Sequence, residues 1–498
     1  MSPLLVMLIR LLFAVPKVNP ERGPRTVIAP SLFSKRPGAH AAMCHSRSCH
    51  AVRYLMTTVI ADTGSLIESR YAWLRLAASL VFMTLSSCGM YAIVVVLPAV
   101  QSEFAVDRAG ASLPYTLTMI GFGIGGVVMG RVSDRFGVRV PLAIGSVTLG
   151  VGFVAAAHAP GLLSLSIIQG VLIGFLGTAG GFSPLIADAS LWFNRRRGIA
   201  VAICASGNYL AGTVWPPIVQ ALAESWGWRS TYIGLGVFCL VTTLPLLAMF
   251  RIRAPLSDAG SAQAARPNPG PAGGSAQSAP RIGEPARSGE AAGPVQPGNA
   301  RPFGMPANLV MVLLCGAGVA CCVAMSMPQV HIVAYCGDLG FGSAAGAQML
   351  SLMLGFGIVS RLISGWVADR IGGLRTLLAG AVLQAVALSL YLPFDGLGAL
   401  YVIAILFGLF QGGIVPSYAL VVREYFPAAG SATRIALVIN STLLGMALGG
   451  WLSGSIFDLT GSYDAAFVNG IVWNLFTVLV AIFLLGRSRL AGRAPIPT

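Results

Sequence analysis

The chain has 498 residues, 55% of them hydrophobic and 10% charged, with a formal net charge of +15 and a mean hydropathy of +0.78. A soluble domain carries roughly 25% charged residues, so this composition excludes a soluble enzyme and predicts an all-α protein that crosses a membrane many times. The positive charge does not call for a nucleic-acid partner, because the arginines sort by position along the chain.

Residues 1–70 form an N-terminal extension unlike the rest. They hold both lysines, Lys17 and Lys35, and an apolar stretch, MSPLLVMLIRLLFAV, that is too short to span and is broken by Arg10. Two readings stand: a disordered tail, or a chain that truly starts at Met56. The cluster Cys44, His45, Cys49 and His50 is too short a pattern to commit to a metal, so no metal site is expected. The other cysteines are scattered through the apolar runs and read as small buried hydrophobes without a disulfide framework.

An apolar run of about 20 residues spans a bilayer as a helix. Twelve such runs lie near 74–98, 112–130, 140–158, 162–186, 198–222, 229–250, 307–331, 345–367, 374–392, 397–420, 433–457 and 465–486. Connections after the even-numbered spans hold most of the arginines, whereas those after the odd-numbered spans hold only Arg108 and Arg229. By the positive-inside rule both termini are cytoplasmic. The near-exclusive use of arginine points to a GC-rich bacterial genome and so to a bacterial inner membrane. Between the sixth and seventh spans, PNPGPAGGSAQSAP and its neighbours read as a flexible linker. The domains are therefore a six-span bundle at 71–250, a cytoplasmic linker at 251–303 and a second six-span bundle at 304–490.

The halves repeat. GRVSDRFG (Gly130–Gly137) after the second span returns as GWVADRIG (Gly365–Gly372) after the eighth, and SIIQGVLIG in the fourth span is echoed by GLFQGGIVP in the tenth. Internal repeats of this length are the signature of duplicated transporter bundles. In each repeat the glycines Gly130, Gly137 and Gly365 allow close backbone approach. The pairs Asp134–Arg135 and Asp369–Arg370 stand where the chain meets water; the aspartates can accept hydrogen bonds from helix N-termini, and the arginines can pair across helices or with lipid phosphates. These residues are the candidate conformational gate.

Gly-x-x-x-Asp-Arg-x-Gly at this place resembles the loop between helices 2 and 3 of the major facilitator superfamily, and the resemblance covers about residues 70–490. It implies two pseudosymmetric six-helix bundles, a central cavity lined mainly by helices 1, 4, 7 and 10, and alternating access. WFNRRRGIAVAICASGNYLAGTVWPPIVQALAESWGWRSTYIGLG (Trp192–Gly236), PQVHIVAYCGDLGF (Pro328–Phe341) and the spacing Arg361, Gly365, Asp369 resemble the monocarboxylate porter and oxalate/formate antiporter branch. The chain departs from that branch in three places. The first span lacks Asp-Gly-Gly-Trp-Gly-Trp, Gly357 stands where some members carry an acid one turn before the arginine, and the eleventh span has Asn440, Ser441 and Thr442 but no lysine. A dicarboxylate is thereby disfavoured.

Arg361 is the basic residue well inside a predicted span. A mid-helix Arg costs roughly 2.5 to 3.5 kcal/mol on insertion scales, so it faces a cavity or a partner, and its fork matches a carboxylate; snorkelling toward the interface is the other reading. Tyr91, Asn208, Tyr209 and Gln411 are polar groups that either line the cavity or bond a neighbouring helix. His331, on a helix that lines the cavity in the resembled fold, is the candidate for proton coupling, or else makes a structural hydrogen bond. Asp188 and Asp338 read as helix anchors, and the neutral Gln169 weakens a drug-efflux reading.

No Gly-Lys-Ser/Thr loop, pore signature or catalytic constellation is present in the sequence. The expected function is secondary active transport of a small organic anion, a monocarboxylate, with protons, without catalytic residues or cofactor. The alternatives are transport of a neutral or cationic metabolite, and a nontransporting sensor.

Overall fold

The computed structural model describes residues 67–193, 195–252, 302–427 and 430–490, all within one compact unit, Val59–Thr498. The cysteine–histidine cluster, Met56 and nearly all of the linker lie outside the described residues. Twelve helices are long and apolar enough to cross a membrane among these residues. They are α1 Arg70–Phe104, α2 Arg108–Phe136, α3 Arg139–Ala157, α4 Leu162–Trp192, α5 Arg197–Trp226 and α6 Trp228–Phe250, then α7 Ala307–Asp338, α8 Ser343–Ile371, α9 Gly373–Leu390, α10 Leu397–Tyr425, α11 Thr433–Thr460 and α12 Tyr463–Leu490. All twelve coincide with the predicted spans. With no water inside a bilayer, each backbone polar group must be satisfied within its own helix.

The helix ends follow from the sequence. Asp107 precedes α2 and its carboxylate accepts the Gly110 amide at 2.7 Å, an N-cap that satisfies one orphan donor. At the other end of α2 the chain turns at Gly137 with φ of 86°, and α8 stops in the same way at Gly372 with φ of 85°. Both are the last glycine of the repeated motif, at a dihedral that an L side chain rarely adopts. The motif is thus first of all a helix stop that sends the chain straight back into α3 or α9.

Within each half the same neighbours pack. In the first bundle α1 lies on α5, α2 on α4 and α3 on α6; in the second, α7 lies on α11, α8 on α10 and α9 on α12. This is the pseudosymmetry expected from the repeats. Small residues permit the close crossings: a Cβ on Gly174 would come within 2.5 Å of the Thr118 carbonyl oxygen, and one on Gly445 within 2.9 Å of Cys322 Cβ.

A buried ion pair ties the first bundle together at the face of the motif loops, hereafter the motif face. Arg75 Nε and Nη2 donate to Asp188 Oδ2 and Oδ1 at 2.8 and 2.9 Å. Its remaining nitrogen donates to the Met249 and Ile252 carbonyls at 3.3 and 3.0 Å, and the guanidinium lies over the Trp192 and Phe250 rings. A buried charge is tolerable when it is paired and hydrogen-bonded in this way. Asp188 is an anchor, as its position predicted; Arg75, whose partner lies 113 residues away, was not legible as buried.

The two bundles meet along α2 with α11, α5 with α8, and α1 with α7. Polar ties cross this seam sparsely: Thr116 Oγ1 donates to the Ala447 carbonyl at 3.2 Å, and Ser351 Oγ donates to the Thr213 carbonyl.

Candidate transport cavity

Between the bundles lies a cavity of about 460 Å³ lined from α1, α2, α4, α5, α7, α8, α10 and α11. Its mouth is marked by Gly130, Arg131 and Asp134 at the motif end of α2, and the two charged side chains there are exposed. The cavity is therefore accessible from the motif face. Its walls include Phe122, Phe182, Met446, Tyr91, Asn208, Tyr209, Gln329 and Arg361.

Arg361 does face the cavity. Its guanidinium sits 4.0 Å over the ring of Tyr209, and Nη1 donates to the Ala205 carbonyl at 3.5 Å, both on the other bundle. Nε is buried without a hydrogen-bond partner, and no carboxylate pairs with this arginine among the described residues. The space occupied by the Tyr209 ring is left by Gly357, one turn before Arg361: a Cβ there would lie 2.5 Å from Tyr209 Cε1. Gly357 thus admits an aromatic face under the cation. A cation–π contact steadies the guanidinium without neutralising it.

Of the other residues expected to bind substrate, Tyr91 and Asn208 line the cavity, and Asn208 Oδ1 is buried without a partner. Gln411 does not reach it. It is fully buried and accepts at Oε1 from Gln329 Nε2 at 2.9 Å, so Gln329 is the glutamine that faces the cavity, backed by Gln411. Gln169 is likewise internal, donating to the Tyr232 hydroxyl at 3.1 Å. A polar residue in an apolar run is visible in a sequence, but which of two stacked amides meets the cavity depends on helix rotation.

His331 is also away from the cavity. It is fully buried at the end of the molecule opposite the motif loops, within a cluster that joins the bundles. Arg108, at the start of α2, donates to Asp338 Oδ1 at 2.6 Å and to the Tyr463 hydroxyl at 3.2 Å. Asp458 accepts the backbone amides of Arg108 and Ala109, both at 2.8 Å, a carboxylate at a helix N-terminus. Tyr463 Oη stands 3.3 Å from His331 Nδ1, and His331 Nε2 stands 2.8 Å from the Gly450 carbonyl oxygen. A carbonyl can only accept, so Nε2 carries a proton; in the neutral ring Nδ1 then accepts from Tyr463. Asp338 is an anchor, as expected; Asp458 and Tyr463 were not singled out from the sequence, because only folding brings three helices of one bundle onto Arg108 of the other.

The repeated motifs make no such clasp in this conformation. Asp134 and Asp369 are exposed, Arg135 lies over Phe136 and Arg370 over Trp366, and a Cβ on Gly130 or Gly365 would meet no atom within 4 Å. The reason is the open mouth: the bundles are apart at this face and together at the other. An amide at a helix start is instead held by Glu424, which accepts from Gly373 at 2.7 Å.

The family model described as Major Facilitator Superfamily matches residues 79–394 and 312–498. Among curated relatives, monocarboxylate transporter 13 of Bos taurus is 27% identical over 78% of this chain and 83% of its own length. Monocarboxylate transporter 11 of Homo sapiens is 29% identical over 68% and 66%. The MFS-type transporter YcxA of Bacillus subtilis is 26% identical over 79% and 87%. Among solved structures, a bacterial homolog of the human lysosomal transporter Spinster, inward-facing and occupied, aligns with a TM-score of 0.63 at 14% identity, covering 86% of this chain and 100% of that one. A D-xylose-proton symporter aligns at 0.62 and 14%, covering 83% and 97%. With twelve membrane helices in two related bundles around a cavity open at one face, and with relatives and fold that are those of transporters, this chain is a multi-pass membrane protein that belongs to the Major Facilitator Superfamily.

Proposed function

We propose that the protein is a secondary active transporter of small organic anions, monocarboxylates, and that Arg361 binds the carboxylate. The observation that carries this reading is the state of Arg361: a guanidinium on the cavity wall, steadied by an aromatic ring, with a buried free N–H and no acidic partner among the described residues. Such a group on a cavity wall recognises an anion by charge-assisted hydrogen bonds. The names of the relatives point the same way. With the arginine-rich connections placed in the cytoplasm, the motif face is cytoplasmic, the termini are inside, and the conformation is inward-facing in a bacterial inner membrane. Asp134–Arg135, Asp369–Arg370 and their glycines would then form the gate that closes this face when the cavity turns outward.

Proton coupling belongs to the same reading, with His331 as the titrating group. A proton on Nδ1 displaces the O–H that Tyr463 donates there, and Tyr463 is in turn held by Arg108. Protonation of His331 is therefore tied to the opening of the Arg108 cluster, the step that exposes the cavity to the other side.

The test is uptake of labelled monocarboxylates into proteoliposomes under an imposed proton gradient. Loss of uptake in Arg361→Ala, poorly restored by Arg361→Lys in folded protein, is expected from bidentate capture. Equal flux in wild type and both variants would make Arg361 structural and refute the reading.

A further inference from the structure

Two buried polar atoms on the cavity wall lack partners: Nε of Arg361, a donor, and Oδ1 of Asn208, an acceptor. They are neighbours. Nη1 of Arg361 reaches the carbonyl of Ala205, which lies one turn before Asn208 on α5, and the guanidinium covers the ring of Tyr209, the next residue along. Buried polar groups in folded proteins are nearly always satisfied. A ligand that satisfies both presents an acceptor to Arg361 and a donor to Asn208.

The rest of the wall is of a different kind. Met90, Met119, Met325 and Met446 line it together with Phe122 and Phe182. Unbranched thioethers adapt to irregular apolar shapes and make favourable contacts with aromatic rings. A volume of about 460 Å³ falls in the range of pockets that enclose drug-sized ligands. A two- or three-carbon acid held at Arg361 would leave this apolar surface facing water. The charged groups among the lining residues are Arg131 and Asp134 at the mouth, and Arg361 itself. A zwitterionic amino acid would set its ammonium beside the guanidinium with no carboxylate near it, so a neutral donor fits and a cationic one does not.

We propose that the substrate is a bulky apolar monocarboxylate with a neutral hydrogen-bond donor, a hydroxyl or an acylated amine, on the carbon that bears the carboxylate. Its carboxylate takes Arg361, its donor takes Asn208 Oδ1, and its aryl or branched alkyl group packs on the methionine and phenylalanine wall. Asn208 is on this account a specificity-determining residue. The proposal rests on Arg361 being the anion site.

The experiment compares four labelled probes in proteoliposomes of the full chain: 3-phenyllactate, 3-phenylpropionate, lactate and phenylalanine. The expected KM for 3-phenyllactate is roughly tenfold below that for 3-phenylpropionate, since the acid without a hydroxyl leaves a buried acceptor unpaired. Lactate is weaker still, because it buries little apolar surface, and phenylalanine is not carried. In Asn208→Leu, shown to be folded by its thermal unfolding and elution as wild type, the gap between the two phenyl acids closes. Lactate carried as well as 3-phenyllactate, or a gap that survives in Asn208→Leu, overturns the proposal and leaves the anion reading standing. No uptake of any of the three acids, with 3-phenyllactate failing to bind, overturns both.

Discussion

A Cβ atom on Gly357 would lie 2.5 Å from Cε1 of Tyr209, so the glycine of one bundle and the ring of the other share a single space. Because the ring lies beneath Arg361, that missing methyl group governs the setting of the cavity's deepest charge. Tyr209→Leu is expected to weaken the structure by about 2 kcal/mol, the worth of a desolvated cation–π contact, whereas Tyr209→Phe keeps most of it. A double variant, Gly357→Asp with Tyr209→Ala, places a carboxylate one turn from Arg361 and is expected to raise the KM for an anion about tenfold. Thermal unfolding of the single variants and anion KM of the double one check this; an unchanged KM would show that substrate does not compete for the guanidinium.

Two glycines on opposite faces are expected to bias the cycle in opposite directions. A Cβ on Gly130 meets nothing within 4 Å, while one on Gly454 would lie 2.8 Å from the Arg108 carbonyl oxygen. Gly130→Leu should therefore leave the present conformation undisturbed and obstruct closure of the motif face. Gly454→Leu should force the other face apart. Labelling of a cysteine introduced by Asn440→Cys on the cavity wall, with an impermeant maleimide from each side, reads both: access from the motif face rises in the first and falls in the second.

The cluster around Arg108 predicts a pH effect with a definite sign. In the closed arrangement the neutral His331 ring donates at Nε2 to the Gly450 carbonyl and accepts at Nδ1 from Tyr463, and the charged groups of the surrounding cluster are Arg108, which contacts Tyr463, and Asp338 and Asp458, which contact Arg108. Acidification that places a second proton on the ring breaks the bond from Tyr463 and favours opening of this face, by about fivefold in population, the lower end of ordinary coupling energies. Arg108→Ala should mimic acidification at every pH, and His331→Gln should abolish the pH dependence. The readout is maleimide access from the face opposite the motif loops across pH 5 to 8.

For the Arg75–Asp188 pair the consequence is one of stability. Both side chains are almost fully buried, at 2% and 5% exposure, so Asp188→Leu alone strands a buried cation and should cost about 3 to 5 kcal/mol. The double variant Arg75→Met/Asp188→Leu should recover much of that loss. A midpoint of thermal unfolding that stays low in the double variant would show that the bonds from Arg75 to the Met249 and Ile252 carbonyls matter more than the ion pair.

The sequence by itself determined the class of this protein. Twelve runs long enough to span a bilayer, glycines that stop helices at Gly137 and Gly372, and a motif written twice depend only on local chemistry: transfer of apolar side chains, backbone freedom and helix length. It also singled out Arg361, since an arginine inside an apolar run is conspicuous wherever its helix packs. The tertiary structure decided what no local pattern encodes, namely which partners helix rotation and bundle docking supply. It set Tyr209 under Arg361 through the absence of a side chain at Gly357, placed Gln329 in front of Gln411, and drew His331 out of the cavity into a cluster with Tyr463 and Arg108. It also left the repeated Asp–Arg pairs exposed and apart, because the bundles are separated at the motif face, and how two bundles dock is written in no local pattern.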